Sequence, residues 1–254
     1  MLASGMTLGR LMDYNVLYFL REIVLIRNRY YTINNNESLS VVAGTSNLQW
    51  KAINDRWVYY NPDSTILTNL NVVPTITHDG TLNYIDYLNG IVHFSAAPTS
   101  VTASYSAQLV NVIDGFPTFE RFEELTLPLV AVEMGSKPRK PLAIGGGHFV
   151  TYNFTIHIWA NNNGERDDLT ERLEEGIQTK LRLNNYNNGF PLSTKTADYG
   201  SINTSFDRSS IHARAQVIDV STQPVTIPTN VEKERFRSEI SAKLEIARAT
   251  VGVN

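Results

Sequence analysis

The stretch HFVTYNFTIHIWANNNGERDDL, residues 148–169, places two histidines, several aromatic rings and a run of carboxylates within one short segment, and its periodicity decides how they are read. Val150, Tyr152, Phe154, Ile156 and Ile158 fall on one face at period two, and Thr151, Asn153, Thr155 and His157 on the other, which predicts a half-buried strand. Phe149 and Trp159 share the more polar face, so something must cover them. Asn161–Gly164 ends the strand, and a helix is expected from about Glu165, with Leu169, Leu173, Ile177 and Leu181 recurring every four residues as its buried stripe. Glu165, Asp167 and Asp168 then occupy its first turn and Lys180 and Arg182 its last. That arrangement complements the helix dipole by about 0.3–1 kcal/mol per charge.

Upstream, Thr7 to about Asn28 reads as a helix on the spacing of Leu8, Leu11, Met12, Val16, Phe19, Leu20 and Ile23. Tyr14, Leu17, Tyr18, Val24 and Leu25 make it apolar on further sides, so it needs more than one partner: a single large core, or its own fold and a neighbouring subunit. Residues 30–113 predict a small inserted all-β module. Asn89-Gly90 within 84–94 suits a type I′ hairpin, a turn at Ala97–Ser100 follows, and Val101, Ala103, Tyr105, Ala107 and Leu109 alternate with polar residues, completing an expected β-meander. Leu127–Met134 reads as a strand that Pro128 confines to a start or an edge. Gly135–Gly147 reads as a long mobile loop, Ile211–Val217 as a strand, and the segment after Pro228 as a helix. In that last element Thr229 and Glu232 have capping-box spacing, and Phe236, Ile240, Leu244 and Ala247 form the stripe. The expected class is α+β: a mixed, largely antiparallel sheet packed with helices from 1–29 and 114–254, carrying the β-module as an insertion.

Composition narrows the chemistry. With 22 basic and 25 acidic side chains the net charge is -3, so no global positive field marks a nucleic-acid binder. The absence of cysteine removes disulfides, thiolate metal sites and cysteine nucleophiles together. Val16–Ile26 is interrupted by Arg21 and Glu22 and is shorter than the roughly 20 apolar residues of a membrane span, which suits a chain assembled in the cytoplasm. His148 and His157, about 30 Å apart along a strand, cannot share a metal ion. The other histidines are dispersed, the glycines at 145–147 precede a strand and not a helix, and no GxSxG elbow occurs. No catalytic, cofactor-binding or metal-ligating constellation is expected. Lys137, Arg139 and Lys140 form the one compact basic cluster; with Trp159, Glu165, Arg166, Asp167 and Asp168 they are the candidate contacts between subunits or with another protein.

The leading helix, PLVAVEMG (128–135), the flexible loop, FVTYNFTIHIWA (149–160), and the helix after GERDDL (164–169) running into NNYNNGFP (184–191) resemble, in that order, the tail terminator, or tail completion, proteins of tailed bacteriophages. The hairpin DYLNGIVHFSAAP (86–98) is similar to a phrase in β-modules of virion proteins. The resemblance covers the first 28 residues and 116–250; residues 30–113 depart from it. It implies a virion protein of the neck, a ring usually of six subunits that caps the tail tube protein, stops its polymerisation and faces a head-side connector or stopper protein. Genomic DNA would pass through the lumen without sequence-specific binding, and no membrane or cofactor is involved. Another connector ring is the nearest alternative. A carbohydrate- or receptor-binding module, argued from Trp50, Trp57, Tyr59 and Tyr60, is a more distant one.

Overall fold

The computed structural model describes residues 8–141, 148–178, 181–186, 189–192, 200–225 and 236–248. The chain divides into two compact units, one made of Met1–Asn28, Val110–Asn185 and Arg208–Asn254, the other of Arg29–Leu109 and Tyr186–Asp207.

The first unit opens with α1 (Leu8–Tyr18), which continues through a π-helical turn, Phe19–Val24, into the single turn α2 (Leu25–Arg27). Leu11, Met12, Val16, Leu20, Val24, Leu25 and Ile26 are buried, while Tyr14, Leu17 and Tyr18 are half-buried. Glu22, in the π turn, is also buried and forms an ion pair with Arg208. A buried carboxylate needs such a partner, because desolvation would otherwise cost several kcal/mol.

The second unit holds β1 (Tyr31–Ser38), β2 (Ser40–Val41), β3 (Gln49–Lys51), β4 (Thr75–His78), β5 (Thr81–Asp86), β6 (Ile91–Ala96) and β7 (Val101–Gln108). They form two antiparallel sheets, β1-β7-β4 and β2-β3-β6-β5. The expected meander is therefore wrong: after the β5–β6 hairpin the chain crosses from one sheet to the other, and β7 pairs with β1 and β4. Both sheets contribute to one core containing Trp50, Trp57, Val92, Phe94, Tyr105 and Leu192, the last supplied by the distant segment 186–207. The hairpin loop has four residues, Tyr87–Gly90, and among them Gly90 alone has positive φ (62°), so the turn is not type I′. Asp86 determines the loop by accepting bonds from the backbone of Leu88 and Asn89 and from the Asn89 side chain. On β7 the alternation fails at its end. Ser106 is buried because Val58 N–H and Asn71 N–H bond to it, while Leu109 is exposed.

The remainder of the first unit comprises β8 (Asn111–Asp114), α3 (Phe119–Glu124), β9 (Leu129–Met134), β10 (Arg139–Pro141), β11 (His148–Trp159), α4 (Asn163–Ile177), β12 (Leu181–Asn184), β13 (Ile211–Val225) and β14 (Arg237–Arg248). Their sheet runs β12-β13-β14-β11-β9-β8, with β10 also on β11; every pairing is antiparallel except β8 with β9. β11 and β14 pair along twelve residues each and form its spine. Val130, Val132, the even-numbered apolar residues of β11, and Ile240, Ala242, Leu244 and Ile246 make one dry face. α4 packs there through Leu169, Leu173 and Ile177, each contributing about 1.5–3 kcal/mol by burial. α1 touches β12 near one sheet edge and β8 and β9 near the other. The class is thus α+β, with strands dominating and, among the described residues, only α1 and α4 as helices of any length.

Three further expectations give way. Residues 237–248 are a central strand and not a helix: Ile240 and Leu244 recur every four residues, but Ala242 and Ile246 between them make the period two, and pairing with both β11 and β13 selects it. Thr229 and Glu232 lie outside the described residues. Leu181 and Arg182 belong to β12, because α4 stops at Ile177; Lys180 lies outside the described residues, and the last turn of α4 holds no basic side chain. The stretch from Gly135 is not wholly a loop. Gly135 N–H and Asn153 N–H bond to Asn153 O and Ser136 O, Thr151 N–H bonds to Pro138 O, and β10 follows on the same strand; residues 142–147 lie outside the described residues.

Candidate functional site

The carboxylates after β11 are consumed largely by the helix they begin. Asn162 is the N-cap and accepts from Glu165 N–H at 2.9 Å, while Glu165 accepts from Asn161 N–H at 2.7 Å and from its side-chain amide at 2.9 Å. The exchange satisfies donors that a helix start otherwise leaves orphaned. Arg166 pairs with Asp167 at 2.7 Å; Asp168 is exposed on the next position. The basic residues lie elsewhere. Lys137 and Arg139 are exposed, and the Lys137 ammonium sits 5.7 Å from the centre of the Tyr152 ring and beside Gly9 of α1. Lys140 lies on β10, and its side chain is outside the described residues. Arg139 is in register with Val150 near the start of β11, whereas α4 begins beyond its end. About 30 Å of strand therefore separates the basic from the acidic candidates, and they form no common site.

Trp159, expected at a subunit contact, is fully buried within the chain. It packs with Ile113, Phe122, Leu129 and Ala131, and the cover that its position on the polar face required is α3 together with Phe116, whose ring centre lies 5.4 Å from that of the indole. The short α3 had no recognisable period in FERFEE, yet Thr118 caps it by accepting from Arg121 N–H.

A charged grouping on the face of β11 opposite its dry one was not anticipated from sequence. His157 projects from the middle strand, with Nδ1 3.1 Å from Glu239 of β14 and Nε2 3.2 Å from Glu133 of β9. Arg237 donates to Glu239 at 2.5 Å and lies 5.0 Å over the Phe116 ring. The His157 side chain is 7% exposed, Glu239 19% and Glu133 56%, so the grouping grades from interior to solvent across one sheet face. Its geometry cross-links three strands: each ring nitrogen faces a carboxylate from a different neighbour. The signal lay in Arg237 and Glu239, two residues apart, which reading that segment as a helix concealed.

Between the N-terminal helix, β8 and α3, Tyr14, Leu17, Tyr18, Arg21, Asp114 and Arg121 line a cleft of about 250 Å³, below the roughly 300–1,000 Å³ that drug-sized ligands occupy. The Arg21 guanidinium stacks 4.7 Å over the Tyr18 ring, whose hydroxyl is pushed up by burial and held back in part by Arg21. In the second unit, Trp50 and Trp57 are buried, and their indole N–H groups donate to the carbonyls of Asn47 and Asn54. Trp57 stacks on Tyr105 at 4.2 Å. The two indoles thus build a core, and Tyr59 and Tyr60 are half-buried. Among the described residues no group of three His, Asp or Glu side chains is arranged to hold a metal ion, and no helix is long and apolar enough to cross a membrane.

No protein-family model matches the chain, and no curated protein is similar to it at a significant level.

Proposed function

We propose that the chain is a structural subunit of a tailed-phage neck, a tail terminator that assembles with copies of itself into a ring, caps the tail tube and meets a head-side connector while DNA passes through the lumen. The order of its elements carries this reading: a leading helix, the 128–135 strand, a long strand at 149–160 and a capped helix directly after it, as the resembled family has them. The side-chain geometry supports it. The groups that would have suggested catalysis are engaged in building the fold: Glu165 in a helix cap, and His157, Glu133 and Glu239 in tying three strands together. The net charge of -3 suits a channel subunit on which phosphates do not stick.

Exposed Asp167, Asp168, Lys137 and Arg139 remain available to neighbouring subunits or the tube. Mass spectrometry of separately purified heads and tails tests the assignment: the chain should travel with tails, in a fixed ratio to the tube protein. Recovery with heads would identify another connector ring. Absence from particles would overturn the reading.

A further inference from the structure

The N-terminal helix carries two stripes. Leu11, Met12, Val16, Leu20 and Val24 are buried, whereas Tyr14, Leu17, Tyr18 and Arg21, spaced at three and four residues, form a second stripe that is only half-buried. That second stripe is one wall of the cleft of about 250 Å³, with Val112, Ile113 and Asp114 of β8 as its floor and Arg121 of α3 opposite.

β8 is the end strand of its sheet. Asn111 N–H bonds to Pro128 O and Gly115 N–H to Val132 O, so in this parallel ladder Asn111 and Ile113 face β9, and the N–H and C=O groups of Val112 and Asp114 point outward. The strand has no bulge and no proline to discourage a further strand from pairing there.

The two walls stand on opposite faces of the sheet. Val112 and Asp114 are in register with Val130 and Val132 of the dry face, on the side where the N-terminal helix meets α4, while Ile113 packs on the other side with Phe122 of α3. The cleft therefore straddles the strand edge. Arg121 is exposed, and among the described residues no carboxylate pairs with it, Asp114 projecting from the opposite face.

We propose that this cleft receives an extended segment of a partner protein as an added strand on β8, with an acidic side chain between two apolar ones. The open edge supplies the main-chain bonds of such an addition, and the walls read alternate side chains. Successive side chains of a strand point to opposite faces. A glutamate or aspartate directed at Arg121 thus sets its two neighbours against Tyr14, Leu17 and Tyr18, and its bond to the guanidinium is charge-assisted.

The test selects random heptapeptides, displayed with both ends blocked, on the full chain and on Arg121→Glu. The parent should enrich peptides with Asp or Glu between apolar residues, and Arg121→Glu should exchange that acid for Lys or Arg. If Arg121→Glu melts below the parent, Arg121→Gln takes its place and should lose the acidic preference. In the best parent peptide, made synthetically, changing the acid to its amide should weaken binding at least about fivefold. Single backbone N-methyl groups should weaken it to the same degree at alternate residues only, because every second N–H faces β8. No enriched acidic motif, the same motif on the Arg121 variant, or N-methyl effects without a period of two would each overturn the proposal.

Discussion

Asp13 shows how a single side chain of α1 is set by its surroundings. One of its carboxylate oxygens is buried without a hydrogen-bond partner; burial raises its pKa, Asp114 raises it further and Lys137 opposes both. A folded-state pKa above the unfolded value means that the charged form is the one the fold disfavours. Asp13 is therefore neutral for stability in acid, and stability is lost as pH rises from the ordinary carboxylate range through the raised folded value. Asp13→Asn should accordingly melt at a higher temperature than the parent at pH 7 and at the same temperature below about pH 3. Thermal melts across that range check it, and a variant less stable at pH 7 would mean that the attraction to Lys137 outweighs burial. Tyr105 illustrates the opposite case of a well-accommodated group. Burial and the neighbouring Glu37 push its hydroxyl up to about 12, so it stays protonated and donates to Glu37 at 2.5 Å. Neither environment was legible in the sequence, where Tyr105 is one member of an alternation and Asp13 belongs to no apolar face.

Among the elements, α4 and the π turn meet at a glycine whose role is spatial. A Cβ on Gly176 would lie 2.4 and 2.8 Å from the two methyl carbons of Val24, closer than atoms can sit. A β-branched side chain in a helix has essentially one rotamer and cannot swing away. Gly176→Ala should thus destabilise the chain by about 1–3 kcal/mol by overpacking, despite the gain of up to about 1 kcal/mol in helix propensity. Adding Val24→Ala should recover part of that loss, and urea unfolding of the two single variants and the double variant measures the coupling. A stabilised Gly176→Ala alone would show that the helices separate freely. The strands carry a related lesson at the outer edge of the sheet. Beyond the part of β13 paired with β12, a bulge between Val217 and Asp219 turns Ile218 outward, and Pro224 offers no N–H. Both features discourage another strand from adding there.

For the whole molecule, the division into units bears on how the chain can be cut. Residues 29–109 look self-sufficient as a stretch of strands, but the segment 186–207 belongs to the same unit. Leu192 enters its core and Tyr87 N–H bonds to Gly200 O. Expressed alone, 29–109 should lack a cooperative melt and bind a hydrophobic dye; joined to 186–207 through a flexible linker it should regain a cooperative melt. Circular dichroism on the two fragments decides, and a cooperative 29–109 would show that the later segment is an ornament.

Local periodicity was sufficient for β11, for the start of α4 and for the N-terminal helix, because a side chain's face follows from its place in a two- or 3.6-residue repeat. The α+β class and the β-rich character of 30–113 came from the same source. Periodicity misled at 237–248, where apolar residues four apart suit a helix face and a strand face equally, and at Leu181, where the same spacing ran past the helix end. Only tertiary pairing separates those cases, since a strand's hydrogen bonds are made to residues far away in sequence. The same reason hid the Glu133–His157–Glu239 grouping, the burial of Trp159 under α3 and the entry of Leu192 into a distant core: each joins segments whose proximity no local pattern encodes.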